Sequence, residues 1–91
     1  MDLLDVFGGQ DNLRLMCGAT RFHKEARNRM SFHVGTYKIR IGIKTRGGVA
    51  ILYYLDIFEG GSGKTVAHAY TTCPDLVRSK FEHHTGYSLS F

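Results

Sequence analysis

Between Met30 and Lys44, apolar and polar side chains alternate one for one, interrupted only by Gly35 and Thr36. Met30, Phe32 and Val34 share one side of the first run, and Tyr37, Ile39, Ile41 and Ile43 share one side of the second. Arg29, Ser31 and His33, then Lys38, Arg40, Gly42 and Lys44, take the other side. A period of two belongs to a strand, and a single apolar row means that one face is buried. A glycine placed first in a two-residue loop suits a type II′ hairpin turn. That turn sets Val34 opposite Tyr37, Phe32 opposite Ile39 and Met30 opposite Ile41, with His33 beside Lys38 and Ser31 beside Arg40. A slip of one residue would turn the whole apolar row towards water, so pattern and turn support the same register.

The rest of the chain is read outward from this hairpin. Arg46, Gly47 and Gly48 predict the next turn. Val49 to Phe58 follows as a strand that is apolar on both faces, which suits the middle of a sheet. Glu59 to Gly63 is a glycine-rich loop, and Thr65 to Thr71 predicts a further strand. The period then changes. Pro74 suits the first helical position, Asp75 the positive helix start, and Gly86 the left-handed cap. Val77 and Phe81, four apart, would face the core, so a helix is expected over about 74–85. The tail from Tyr87 to Phe91 alternates again and predicts an edge strand or a segment docked on the core. Towards the N-terminus, Leu13, Leu15 and Cys17 alternate and predict a short strand, while the spacing of Phe22, Ala26 and Met30 predicts a helix over about 20–29. The expected fold is α+β: a four- or five-stranded, mainly antiparallel sheet with the C-terminal helix packed on one face.

Ninety-one residues make one compact domain, 1–91, with a thin core. No run of apolar residues is long enough to span a membrane. The opening Met1, Asp2, Leu3, Leu4, Asp5 is acidic where a secretory signal would be basic. An intracellular, cytoplasmic location is therefore expected, in the host cell if the protein is viral. In that setting Cys17 and Cys73 would be free thiols.

Charge points to a class of partner. Of the twelve Lys and Arg residues, nine fall between Asn12 and Arg46 with Glu25 as the single acid among them. A field this lopsided attracts polyanions. Arg21, Lys24, Arg27, Arg29, His33, Lys38, Arg40, Lys44 and Arg46 are the candidate nucleic-acid-binding residues. Several cations along one surface, each displacing condensed counterions, is what phosphate binding requires. The following strand brings Tyr53 or Tyr54 near them, and exposed aromatics among cations allow bases to stack.

Other chemistry is less well supplied. Glu59 to Thr65 looks like a phosphate-binding loop, but Phe58 stands where that motif needs its first glycine, and a strand is expected to follow in place of a helix. His68, His83, His84, Cys17 and Cys73 are the available soft ligands, yet neither Cys-x-x-Cys nor His-x-x-x-His occurs, so no metal or other cofactor is expected. Helix-end positions favoured by the dipole account for His83 and His84. His68 and Tyr70 on one strand face, with Arg40 or Arg46 nearby, would suit metal-free RNA cleavage; packing beneath the C-terminal helix is the plainer reading.

Tyr37 to Ile41, then Gly47 to Tyr54, then His68 to Tyr70, resemble the sheet of the RelE-type mRNA-cleaving toxins over about a third of the chain. The resemblance implies ribosome-associated ribonuclease activity, with Arg40, Arg46 and Tyr70 as the residues concerned. Those toxins begin with a strand and a two-helix hairpin, which residues 1–36 hardly accommodate.

With no strong catalytic motif, a binding role is expected ahead of an enzymatic one. The leading expectation is a small module that docks on nucleic acid, RNA or DNA, or on a nucleoprotein complex, through residues 21–46. One alternative is a viral or mobile-element inhibitor that occludes a host protein machine. The other is a metal-free RelE-like ribonuclease toxin. Edge strands at 13–17 and 87–91 would allow pairing into a homodimer.

Overall fold

A computed structural model of the protein describes residues 9–89. The acidic opening at residues 1–5 and the last two positions of the alternating tail lie outside the described residues. The elements follow as α1 (Gln10–Cys17), β1 (Thr20–Ala26), β2 (Arg29–Val34), β3 (Tyr37–Arg46), β4 (Val49–Glu59), β5 (Thr65–Thr71) and α2 (Pro74–Thr85). The strands form one antiparallel sheet in the order β1-β2-β3-β4-β5, each paired with its neighbour in sequence. The α+β class, the antiparallel sheet and the C-terminal helix are as expected. No helix among the described residues is long and apolar enough to cross a membrane.

The β2–β3 hairpin has the register that its turn dictates. Val34 pairs with Tyr37, Phe32 with Ile39 and Met30 with Ile41. Gly35 takes φ 57° while Thr36 stays out of the positive-φ region, the pattern of a type II′ turn. Gly47 and Gly48 are both at positive φ, at 59° and 78°, as a type I′ connection between β3 and β4 requires.

The apolar rows of β2 and β3 and one row of β4 point to one face. Phe32, Val34, Ile39, Ile41, Leu55 and Ile57 are buried there with Val77 and Phe81 of α2 and with Leu13 and Cys17 of α1. Both helices therefore serve one side of the sheet. Helix α2 starts at Pro74 after an extended Cys73 and ends at Gly86, whose N–H donates to the Glu82 carbonyl at 2.9 Å. Leu89 is buried in the same core. The tail docks, and residues 87–89 do not form the expected edge strand.

The N-terminal third departs from expectation in both of its elements. Residues 10–17 form a helix where a strand over 13–17 was expected, and residues 20–26 form a strand where a helix was expected. Leu13 and Cys17, four apart, are buried on one helical stripe, whereas Leu15 is 87% exposed. Alternation would have buried all three. Gly18 closes α1 in the left-handed conformation and donates to the Arg14 carbonyl at 2.9 Å. Strand β1 hides from a periodicity reading because it is an edge strand: its side chains are almost all exposed, and only Phe22 packs on the core, 5.7 Å from Phe32 between ring centroids. Its register with β2 shifts twice, and Arg21 sits at φ 54° within the first irregularity. The true sheet edges are thus β1 and β5, and the edge expected at 13–17 does not exist.

The two long strands outrun their neighbours. Pairing of β2 with β3 stops at Gly42, and pairing of β5 with β4 stops at Tyr53. Beyond these points β3 and β4 continue as a two-stranded arm that carries Lys44 and Arg46 and leaves Val49 exposed.

Candidate nucleic-acid interface

With both helices on one side, no described element covers the other face of the sheet. The side chains that the alternation excludes from the core collect there, and the registers arrange them in three rows across the strands. The first row is Arg29, Gly42, Tyr54 and Tyr70. The second is Ser31, Arg40, Asp56 and His68. The third is His33, Lys38 and Phe58.

Each row mixes charge with an aromatic or imidazole ring. In the first, Arg29 Nε donates to the Tyr54 hydroxyl at 3.1 Å, and Tyr70 stands beside Tyr54 with ring centroids 6.5 Å apart. The hydrogen bond to Tyr54 raises the Arg29 guanidinium further above its already high pKa. In the second, His68 Nδ1 meets Asp56 Oδ1 at 2.6 Å on an exposed surface. Arg40 Nε lies 3.5 Å from Glu25 Oε1 of β1, and its guanidinium carbon lies 5.5 Å from the Phe58 centroid. Arg40 therefore already has an acid and a ring as partners, and Asp56 faces it in register. Lys38, Lys44, Arg27 and Arg46 pair with no carboxylate among the described residues.

Of the nine expected residues, Arg29, His33, Lys38, Arg40 and Lys44 share this face by register. Arg46 ends β3 at the tip of the arm, Arg27 sits in the β1–β2 turn, and Arg21 and Lys24 belong to the exposed edge strand. A bulge in β4 at Ile51, between the Thr45–Ala50 and Lys44–Leu52 pairs, decides between the two tyrosines: Tyr54 joins the cations and Tyr53 packs against the core. Residues 21–46 held no sign of Tyr54, Phe58, His68 and Tyr70, which come from later strands and reach the face only through pairing. The signal for Tyr54 and Phe58 is the second row of the two-faced β4; His68 and Tyr70 share one side of β5.

The remaining motifs resolve simply. His68 and Tyr70 lie on the open face and not beneath α2; only the His68 carbonyl meets that helix, accepting from Lys80 Nζ at 3.0 Å. Arg46 lies four residues along β3 from Gly42, away from that pair. The loop after Glu59 is a hairpin connection closed by Gly63 N–H to the Glu59 carbonyl at 2.8 Å, and strand β5 follows it. Among the described residues no three His, Cys, Asp or Glu side chains converge as a metal site. Cys17 is buried, Cys73 is exposed, and both are free. Protein-family models, curated proteins and solved structures were each compared with the chain, and none matches it.

Proposed function

We propose that the protein is a small binding module that docks on nucleic acid through the uncovered face of its sheet. One observation carries the reading: cations share cross-strand rows with aromatic or imidazole rings on a face that no described element covers. The cations meet phosphates, which sets affinity and orientation without reading sequence. The rings offer surfaces on which bases stack. Lys38 and Lys44, without acidic partners among the described residues, contribute more to the electrostatic term than Arg40, which Glu25 already faces.

Fluorescence anisotropy with labelled single-stranded RNA across a salt series tests this. Affinity should fall steeply with salt, with a slope near −0.7 per phosphate contact. Absence of binding at low salt would overturn the reading and direct the search to a protein partner, the role of an inhibitor that occludes a host machine.

A second reading, metal-free RNA cleavage, is favoured by the His68–Asp56 pair alone. Asp56 would hold the ring through Nδ1, leaving Nε2 to take a 2′-hydroxyl proton as that oxygen attacks phosphorus. The 5′ oxygen would leave with a proton from solvent and a 2′,3′-cyclic phosphate would remain. A denaturing gel of the same samples checks it: RNA left intact ends this second reading and spares the first.

A further inference from the structure

The first row of the open face contains an aromatic ring that is held in place before any ligand arrives. Tyr54 lies across Gly42, its partner on β3, and a Cβ at Gly42 would fall within the ring's own atoms. Only glycine leaves room there. Gly42 occupies an unbroken stretch of strand with no positive φ, so backbone conformation does not require a glycine at this position. The space above it does. Arg29 then fixes the far end of the ring through the 3.1 Å hydrogen bond to the hydroxyl. The Arg29 guanidinium carbon is also 6.0 Å from the ring centroid, at the outer limit of cation–π range. Tyr54 is half-buried, with Gly42 of the sheet directly beneath its ring. Tyr70, 65% exposed, extends this surface onto β5. Arg27 and Lys44 rim the hollow beside it.

We infer that Tyr54, held by Gly42 and Arg29, is a stacking platform for an unpaired nucleobase, and that the ligand of this face is single-stranded nucleic acid. The inference rests on reading the face as a nucleic-acid surface and adds which form of nucleic acid it takes. A duplex presents phosphates and groove edges but keeps the faces of its bases stacked inside. A ring pinned against a sheet can be used only by a ligand whose base faces are free. The cations at the rim demand a ligand that carries phosphate, which sets a nucleotide chain apart from other flat ligands such as sugars. Preorganisation matters because the side-chain entropy of the platform is spent in folding and not on binding.

The test uses the full chain and an oligoribonucleotide containing 2-aminopurine, as a single strand and as a duplex of the same length. Stacking on Tyr54 should quench the 2-aminopurine of the single strand, and the single strand should bind more tightly than the duplex. Tyr54→Leu should lose about 5- to 150-fold in single-strand affinity, the range that corresponds to one base–aromatic stack. Its duplex affinity should stay unchanged. Tyr54→Phe, which keeps the ring, should retain most of the binding. Gly42→Ala, which leaves every ligand-facing group present but displaces the ring, should lose single-strand affinity as Tyr54→Leu does. Equal affinity for single strand and duplex, or an unquenched probe on the unmodified protein, would overturn the inference. Those measurements need no variant to fold. If neither form binds in a salt-dependent way, the failure lies with the nucleic-acid reading itself, so the two failures are distinct.

Discussion

At the scale of single residues, environment separates side chains that composition treats alike. Cys17 is 1% exposed, with its Sγ 3.2 Å from the Leu13 carbonyl oxygen, and burial raises its thiol pKa above the usual 9.0 against a smaller lowering from the Ala19 backbone. Cys73 is exposed. A thiol reagent at neutral pH should therefore label one cysteine in the native protein and two in denaturant. Because the folded-state pKa of Cys17 is raised, its neutral form favours the fold below the unfolded value and that contribution is lost as pH climbs through the folded value. Urea midpoints measured above pH 9 should fall, and fall less in Cys17→Ala after correction for its lower starting stability. Gly60 offers a second contrast. Its N–H donates to the Thr36 carbonyl at 2.7 Å, and a Cβ there would press on that same backbone oxygen, which cannot swing aside as a side chain can. Gly60→Ala should cost about 1–3 kcal/mol, read as a lowered midpoint in chemical denaturation.

At the scale of elements, the phase of α1 gives the sharpest prediction. Leu13 is fully buried and Leu15 is 87% exposed, which is a helical phase that a strand could not produce. Leu13→Ala should cost about 2–5 kcal/mol and Leu15→Ala less than about 0.5 kcal/mol. Equal losses at the two positions would mean that the segment alternates as a strand. Local chemistry explains why the sequence pattern of α1 suggests a strand and that of β1 a helix. Three apolar residues at every second position fit a strand, yet two of them also lie four apart and fit one helical stripe. The caps distinguish the two: Asp11 stands in the first turn and Gly18 closes the last. Strand β1 carries no alternation at all, because its position at the sheet edge asks little burial of it and its two register shifts break what period remains. By contrast, β2, β3 and α2 each had a pattern and a terminus that agreed, a two-residue turn in one case and Pro74 with Gly86 in the other.

At the scale of the whole molecule, the sidedness of the sheet organises everything else. Both helices cover the apolar face, so the polar face stays open and its cations act together. Reversing Lys38 and Lys44 to Glu should flatten the salt dependence of RNA binding by about two phosphate contacts, a slope change near 1.4. Reversing Arg40 should change it less, because Glu25 already offsets that charge. Equal effects from Arg40 and from either lysine would show that the Glu25 pair is not maintained in solution. The sequence by itself determined the α+β class, the β2–β3 register, the bounds of α2 and the segment where positive charge gathers. Each of these depends on residues close together in the chain, where periodicity, turn geometry and capping act directly. Only the tertiary structure decided that Arg40 is matched by Glu25, and that Tyr54 and not Tyr53 lies across Gly42 beside Arg29. Those outcomes depend on strand pairing between distant segments, which is set by which faces the shared core can bury.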